Sequence, residues 1–190
     1  VEEEIKSAFE LAMERVSRMP KLTPEEMAEQ KEREYGPLGT AIAVRYRNGA
    51  LSDTDLPREL SRYDGSQQAI VRRALISRLC LEIQLEKGLG AARRALNGLM
   101  QIAPEKTALI DQCREGFLKI AGEFEGSKEK GSGEFAITAK EQLRGLGISG
   151  AAVRPNIEES EQWKEELSRI RQSFEPELEQ LRNSLIQTLS

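Results

Sequence analysis

The residues best suited to chemistry lie in one short run, Gly88-Leu89-Gly90-Ala91-Ala92-Arg93-Arg94. Glycines ahead of a helix leave its first backbone N–H groups free to face an anion, and adjacent guanidinium groups add charge and a planar fork of donors. Gly88, Gly90, Arg93 and Arg94 are therefore candidate anion-binding residues, and a phosphate or other anionic ligand is what they would take. The run lacks the G-K-[ST] ending of a Walker loop. A tight turn between two helices explains the same glycines without a ligand.

A second run, Gly145-Leu146-Gly147-Ile148-Ser149-Gly150, spells G-x-G-x-x-G. A dinucleotide site needs a strand before those glycines and a helix directly after them. Here the preceding residues read as helix, and Pro155-Asn156 opens a later one. The run is better read as a helix stop and an ordered loop that tucks Ile148 and Val153 into the core.

Histidine is absent. That removes the commonest general acid/base and metal ligand, every Ser-His or Cys-His pair, and the Glu-x-x-His pattern of di-iron bundles. Cys80 and Cys113 are lone thiols in apolar surroundings, with no C-x-x-C spacing, and read as buried, reduced and structural. No metal site and no cofactor is expected. Carboxylate pairs such as Glu165 and Glu166 are plentiful, but they sit in highly charged helices where nothing suggests desolvation. An enzyme working through carboxylates alone is the one enzymatic reading left, and the sequence leans away from it.

Charge bears on partners. Residues 45–94 carry 10 basic and 6 acidic groups, nine of the ten bases being Arg, whereas 1–35 carry 6 and 10 and 155–190 carry 4 and 8. Acidic terminal helices lying against a basic middle one account for this pattern. Nucleic acid is disfavoured: the net charge is −4, and no aromatic residues interleave with Arg72, Arg73, Arg78, Arg93 and Arg94 to stack bases.

These groups must be carried by helices. Charged residues make up 32% of the chain and aromatics only 5%, a balance that suits aliphatic helical seams better than a sandwich or barrel. No apolar run approaches the roughly 20 residues that span a bilayer. With an acidic start in place of a signal peptide, the expected location is cytoplasmic.

Ile5, Phe9, Ala12, Met13, Val16 and Met19 recur at helical spacing up to Pro20. Thr23-Pro24-Glu25-Glu26 is a capping box that opens a charged helix over 24–35. Residues 38–49 fit either a helix stopped by Gly49 or a hairpin turning at Asn48-Gly49, and the helix is favoured because Pro57 and its neighbours do not continue a strand. From Asp64, apolar residues through Leu85 cover nearly every face, which marks a central, enclosed helix. A further helix follows Gly88 and Gly90, and Pro104 opens another bearing Ile110, Cys113, Phe117, Ile120 and Phe124 on one face. Residues 122–134 are rich in Gly, Ser and alternating charge, and their composition reads as a flexible connector. Thr138-Ala139-Lys140-Glu141 resembles a capping box for a short helix, and Asn156-Ile157-Glu158-Glu159 another for the last one.

That last helix holds the longest pattern. Trp163, Leu167, Ile170, Phe174, Leu178, Leu181, Leu185 and Leu189 form one stripe with an 11-residue period, interrupted by a kink expected at Pro176. The stripe packs either on this chain's own bundle or on a second chain.

The expected fold is an all-α multi-helix bundle with a long amphipathic C-terminal helix. Its parts are acidic N-terminal helices at 1–35, a helical core at 36–126, a connector with a short helix and Gly-rich loop at 127–156, and the C-terminal helix at 157–190. The expected role is a non-enzymatic interaction protein that meets a protein partner, or itself as a homodimer, through helical faces, with that stripe as the candidate surface. The phosphate-binding module is the alternative.

Overall fold

The structure, a computed structural model, describes residues 7, 9, 13, 23–148, 150 and 154–189. They form six α-helices and no strand: α1 (Pro24–Arg47), α2 (Asp55–Leu60), α3 (Gly65–Cys80), α4 (Gly88–Ile102), α5 (Thr107–Gly145) and α6 (Glu161–Leu189). Among the described residues no helix is long and apolar enough to cross a membrane. The helix read at 5–19 lies outside the described residues except at three positions, all exposed: Ser7 is not helical, whereas Phe9 and Met13 are.

The capping box at the start of α1 forms as the sequence requires. Thr23 Oγ1 accepts from the Glu26 N–H at 3.2 Å, and Glu26 Oε2 accepts from the Thr23 N–H at 2.7 Å. The helix then runs unbroken through Pro37 to Arg47, so the two segments read at 24–35 and 38–49 are one. Gly36 makes this easier, because it has no Cβ to clash with the following proline ring. At the far end Gly49 adopts φ +81°, Ala50 N–H returns to Arg45 O and Gly49 N–H to Tyr46 O. This paired return is a Schellman stop, and the hairpin alternative is excluded.

α1 and α3 run parallel, in a constant register. Lys31 meets Ser66, Gly39 lies on Val71 and Leu75, and Arg47 reaches Glu82. The contact at Gly39 is backbone on backbone: a Cβ there would lie 2.2 Å from Val71 O. α4 returns antiparallel to α3, with Gly98 against Tyr46 and Leu79, and Arg72 donating to Ile102 O. Val71, Leu75, Ile76 and Leu79 of α3 are fully enclosed, as its all-round apolar pattern predicted. The helix stops at Cys80, however, and residues 81–87 form a turn whose Ile83 and Leu85 are still buried.

α5 and α6 form an antiparallel hairpin. Gly116 faces Leu181, Phe124 meets Phe174 edge-on at 6.0 Å, and Phe135 meets Trp163 at 5.5 Å. At 39 residues, α5 is about 58 Å long at 1.5 Å per residue. Its first half and the second half of α6 join the core through Ile110, Phe117, Ile120, Leu178 and Leu185. The distal halves continue as a two-helix arm.

This arm corrects the reading of 122–134. Those residues are helical within α5, despite a linker-like composition. Their glycines serve the seam: Gly131 lies 3.2 Å from Trp163 Cζ3 and 3.3 Å from Ile170 Cδ1, measured from where its Cβ would be. Thr138 is likewise no cap, since its hydroxyl donates to Glu134 O inside the helix. The G-x-G-x-x-G run closes α5 by a second Schellman stop, with Ile148 N–H on Leu143 O and Gly147 N–H on Arg144 O. Ile148 is exposed rather than tucked into the core, while Val153 lies outside the described residues. α6 begins at Glu161, later than the Asn156 cap suggested, and stays helical through Pro176.

A helical arm with open glycines has a measurable signature. At Gly122, Gly126 and Gly133 an added Cβ meets nothing within 4 Å. Each Gly→Ala change there will therefore stabilise the fold by about 0.5–1 kcal/mol, whereas Gly131→Ala will gain less or lose, because Trp163 is in the way. Urea unfolding checks the series. Three neutral substitutions at the open positions would mark the segment as coil.

Candidate docking groove

The candidate anion-binding residues are separated by the fold. Gly88, with φ +74°, turns the chain into α4, and nothing crowds Gly90. Arg94 is turned inward. Its Nε donates to Tyr46 O at 2.8 Å, its Nη2 to Leu51 O at 3.1 Å, and its guanidinium carbon lies 4.7 Å from the Tyr46 ring centroid. A cation at the negative pole of α1 is well placed to stabilise that helix end. Tyr46 is fully buried and donates to Asp53 Oδ1 at 2.7 Å; burial, then this bond, raises its pKa. Arg94 is thus a strut between α4 and α1. Arg93, one residue earlier, points the other way, is exposed and makes no ion pair among the described residues.

Most of the other arginines are engaged at home. Arg45 and Arg62 meet the buried Glu59 at 3.6 and 3.2 Å. Glu82, 2% exposed, receives Lys87 at 2.8 Å, Arg78 at 3.1 Å and Arg47 at 3.3 Å. Burial raises its pKa most, but the Lys87 hydrogen bond and the charges of Lys87, Arg47 and Arg78 together outweigh burial and leave it lowered. The same turn is gripped from α6, where Arg171 pairs with Glu86 at 2.9 Å and Arg182 donates to Ile83 O at 3.4 Å. The hollow beside Glu82 is about 60 Å³, far below the several hundred that a ligand site occupies.

The C-terminal stripe is covered by this chain. Trp163, Leu178, Leu185 and Leu189 are buried, and Leu167, Ile170, Phe174 and Leu181 are half-buried against the core. Both thiols are buried and free. Burial first, then the neighbouring Cys113, pushes Cys80 up to about 12, and burial raises Cys113. Among the described residues no group of three acidic or cysteine side chains could hold a metal.

An open apolar face remains between α4 and α5. Two adjoining hollows, of about 420 and 190 Å³, share Leu89 and Leu118. These two leucines are 54% and 50% exposed. Phe117 and Leu96 form the floor at one end, Ala121 and Leu85 at the other. Because α4 and α5 are antiparallel, the groove has distinct poles. At one, Arg93 stands beside Arg114, whose Nη1 meets Asp111 at 2.8 Å and whose Nη2 donates to Asn97 Oδ1 at 3.2 Å. At the other stands Glu125, paired with Lys128 at 3.2 Å. From Arg114 to Glu125 the groove is about 17 Å long. An amphipathic helix of three turns fits that length, with apolar side chains on Leu89 and Leu118 and acidic ones at the arginine pole.

No family model, curated protein or solved structure matches this chain. The groove therefore stands on its own geometry. Of the candidate anion-binding residues read from the sequence, it contains Gly88 and Arg93. It was missed because Leu89 and Leu118 each sit beside better-patterned neighbours. Leu118 follows Phe117 on an amphipathic helix, so one of the two must face outward, and that pairing was the available signal.

Proposed function

We propose that this chain is a non-enzymatic helical interaction protein whose α4/α5 groove receives an amphipathic helix of a protein partner, acidic at one end. The observation that carries this reading is the adjacency of Leu89 and Leu118, both half exposed, on a groove with a guanidinium pole. Helix-in-groove recognition places apolar anchors in such a cleft and sets direction by charge at its rim. The missing histidine, the buried thiols and the engaged arginines support an interaction role over catalysis. The covered C-terminal stripe moves the docking face to the groove.

The test is fluorescence anisotropy with a designed three-turn amphipathic peptide, glutamates in its first turn, beside its charge-reversed counterpart. The acidic-first peptide will bind saturably and at least tenfold more tightly than the reversed one. Leu118→Glu will cost about 2 kcal/mol of binding, roughly 30-fold, as a central anchor does, with the melting temperature kept because the side chain is already half in water. Arg93→Glu will cost less and reduce the salt dependence. If neither peptide saturates, or Leu118→Glu binds as well as the parent, the groove is not a docking face.

A further inference from the structure

We infer that α6, which lines none of the groove, holds the groove's Glu125 pole in place from behind and thereby sets how much of the partner helix it receives; this rests on the groove reading above. The two poles are built differently. At the arginine pole the bonds run within α4 and α5, from Arg114 to Asp111 and Asn97. The smaller hollow at the other pole takes Leu85 from the turn at 81–87 and Phe124 from α5. Both are held by α6.

The turn has little of its own to fix it. Its backbone bonds reach only three or four residues back, Leu81 N–H to Ser77 O, Glu82 N–H to Leu79 O and Ile83 N–H to Cys80 O. A segment without a helical or sheet ladder takes its position from tertiary bonds. The core supplies the cations that meet Glu82, and α6 adds two further grips. Arg171 pairs with Glu86 at 2.9 Å, and Arg182 donates to Ile83 O at 3.4 Å, so the two bonds flank Leu85. Eleven residues separate Arg171 from Arg182. That is three helical turns, which places them on one face of α6 about 16 Å apart. Arg182 is oriented in turn by its ion pair with Glu175. Between the two arginines Phe174 meets Phe124 edge-on at 6.0 Å, so one stretch of α6 backs both walls of the hollow. Side chains that receive a ligand are only as well placed as the groups packed behind them.

Arg171 and Arg182 are thus positioning residues for the last apolar anchor of a docked helix, and a double-mutant cycle on the full chain tests them. The probes are the designed three-turn peptide with glutamates in its first turn, and the same peptide with its last anchor cut to Ala. Fluorescence anisotropy gives both affinities. On the cut the parent will lose about tenfold, as for an anchor seated in a hollow. Arg171→Met/Arg182→Met will lose about threefold or less, because the hollow no longer keeps its shape. Removing the first-turn glutamates will cost both proteins alike, since the arginine pole is tied within α4 and α5. Each comparison is made within one protein, so a general loss of stability cancels. Arg171→Lys, which keeps a cation on Glu86, will respond as the parent does. If the double variant loses its helical circular dichroism, Glu86→Gln takes its place, its side chain being 43% exposed. That variant will lose about fivefold on the cut, since one ion pair is only part of the grip. A cut that costs the variant as much as the parent overturns the inference and leaves the groove reading standing. A parent that binds neither peptide overturns both.

Discussion

Gly39→Ala will destabilise the chain by about 3 kcal/mol, the upper end of what an added methyl costs in a packed interior. The reason is that its Cβ would meet Val71 O at 2.2 Å, Ala74 Cβ at 2.8 Å and Leu75 N at 2.9 Å. Two of these are backbone atoms of α3, so no rotamer change relieves them, and α1 must move away along its whole contact. The displacement reaches Ile42, Ala43 and Tyr46, which are buried on the same side. Gly122→Ala, in open space, provides the opposite sign on the same substitution. Equilibrium urea unfolding gives the comparison. A Gly39→Ala protein as stable as its parent would mean that α1 and α3 are not in contact at this level.

Glu82→Gln will cost about 3 kcal/mol at neutral pH. Removing the charge leaves Arg47, Arg78 and Lys87 converging on a neutral amide in a largely desolvated site, and breaking a buried ion pair by one partner typically costs 3–5 kcal/mol. The lower figure applies because the three cations retain partial access to water. The acid dependence has a definite sign. Glu82 titrates lower in the folded chain than its ordinary 4.5, so its contribution is complete above that value and is lost as pH falls through the folded-state pKa. The stability gap between parent and Glu82→Gln will thus be widest near pH 7 and will narrow below about pH 4.5. A gap that stays constant through this range would show that the carboxylate charge is not what holds the turn.

Local signals carried much of the fold. Thr23 with Glu26, Gly49 behind Arg45 and Arg47, and the all-round apolar α3 each act through neighbours within a turn or two, and the structure contains each of them. The arm was illegible for the opposite reason. Whether 122–134 is coil or helix depends on Trp163 and Ile170, some 35 residues away, which cover Gly131. Composition records the cost of glycine in a helix but not the partner that offsets it. The inward bonds of Arg94 were illegible for the same reason, because the Tyr46 and Leu51 carbonyls that bind it become its neighbours only when α1 meets α4. Gly39 carried no sequence signal beyond its place within an ambiguous segment.

The stripe on α6 shows how far periodicity can decide. Its spacing established that a helix with one apolar face exists, and the structure agrees. Which surface covers that face is a matter of registry with α5, fixed by Gly116 opposite Leu181 and Phe124 opposite Phe174. With the stripe covered, the half-exposed leucines between α4 and α5 offer an open apolar face beside a hollow.

The division between a covered stripe and an open groove is tested most directly by amide hydrogen exchange of the full chain, with and without the acidic-first peptide. Added protection will fall on residues 85–97 and 114–125 alone, and 122–134 will already exchange at helical rather than coil rates without the peptide. Protection concentrated on 163–189, or coil-like exchange through 122–134, would contradict it.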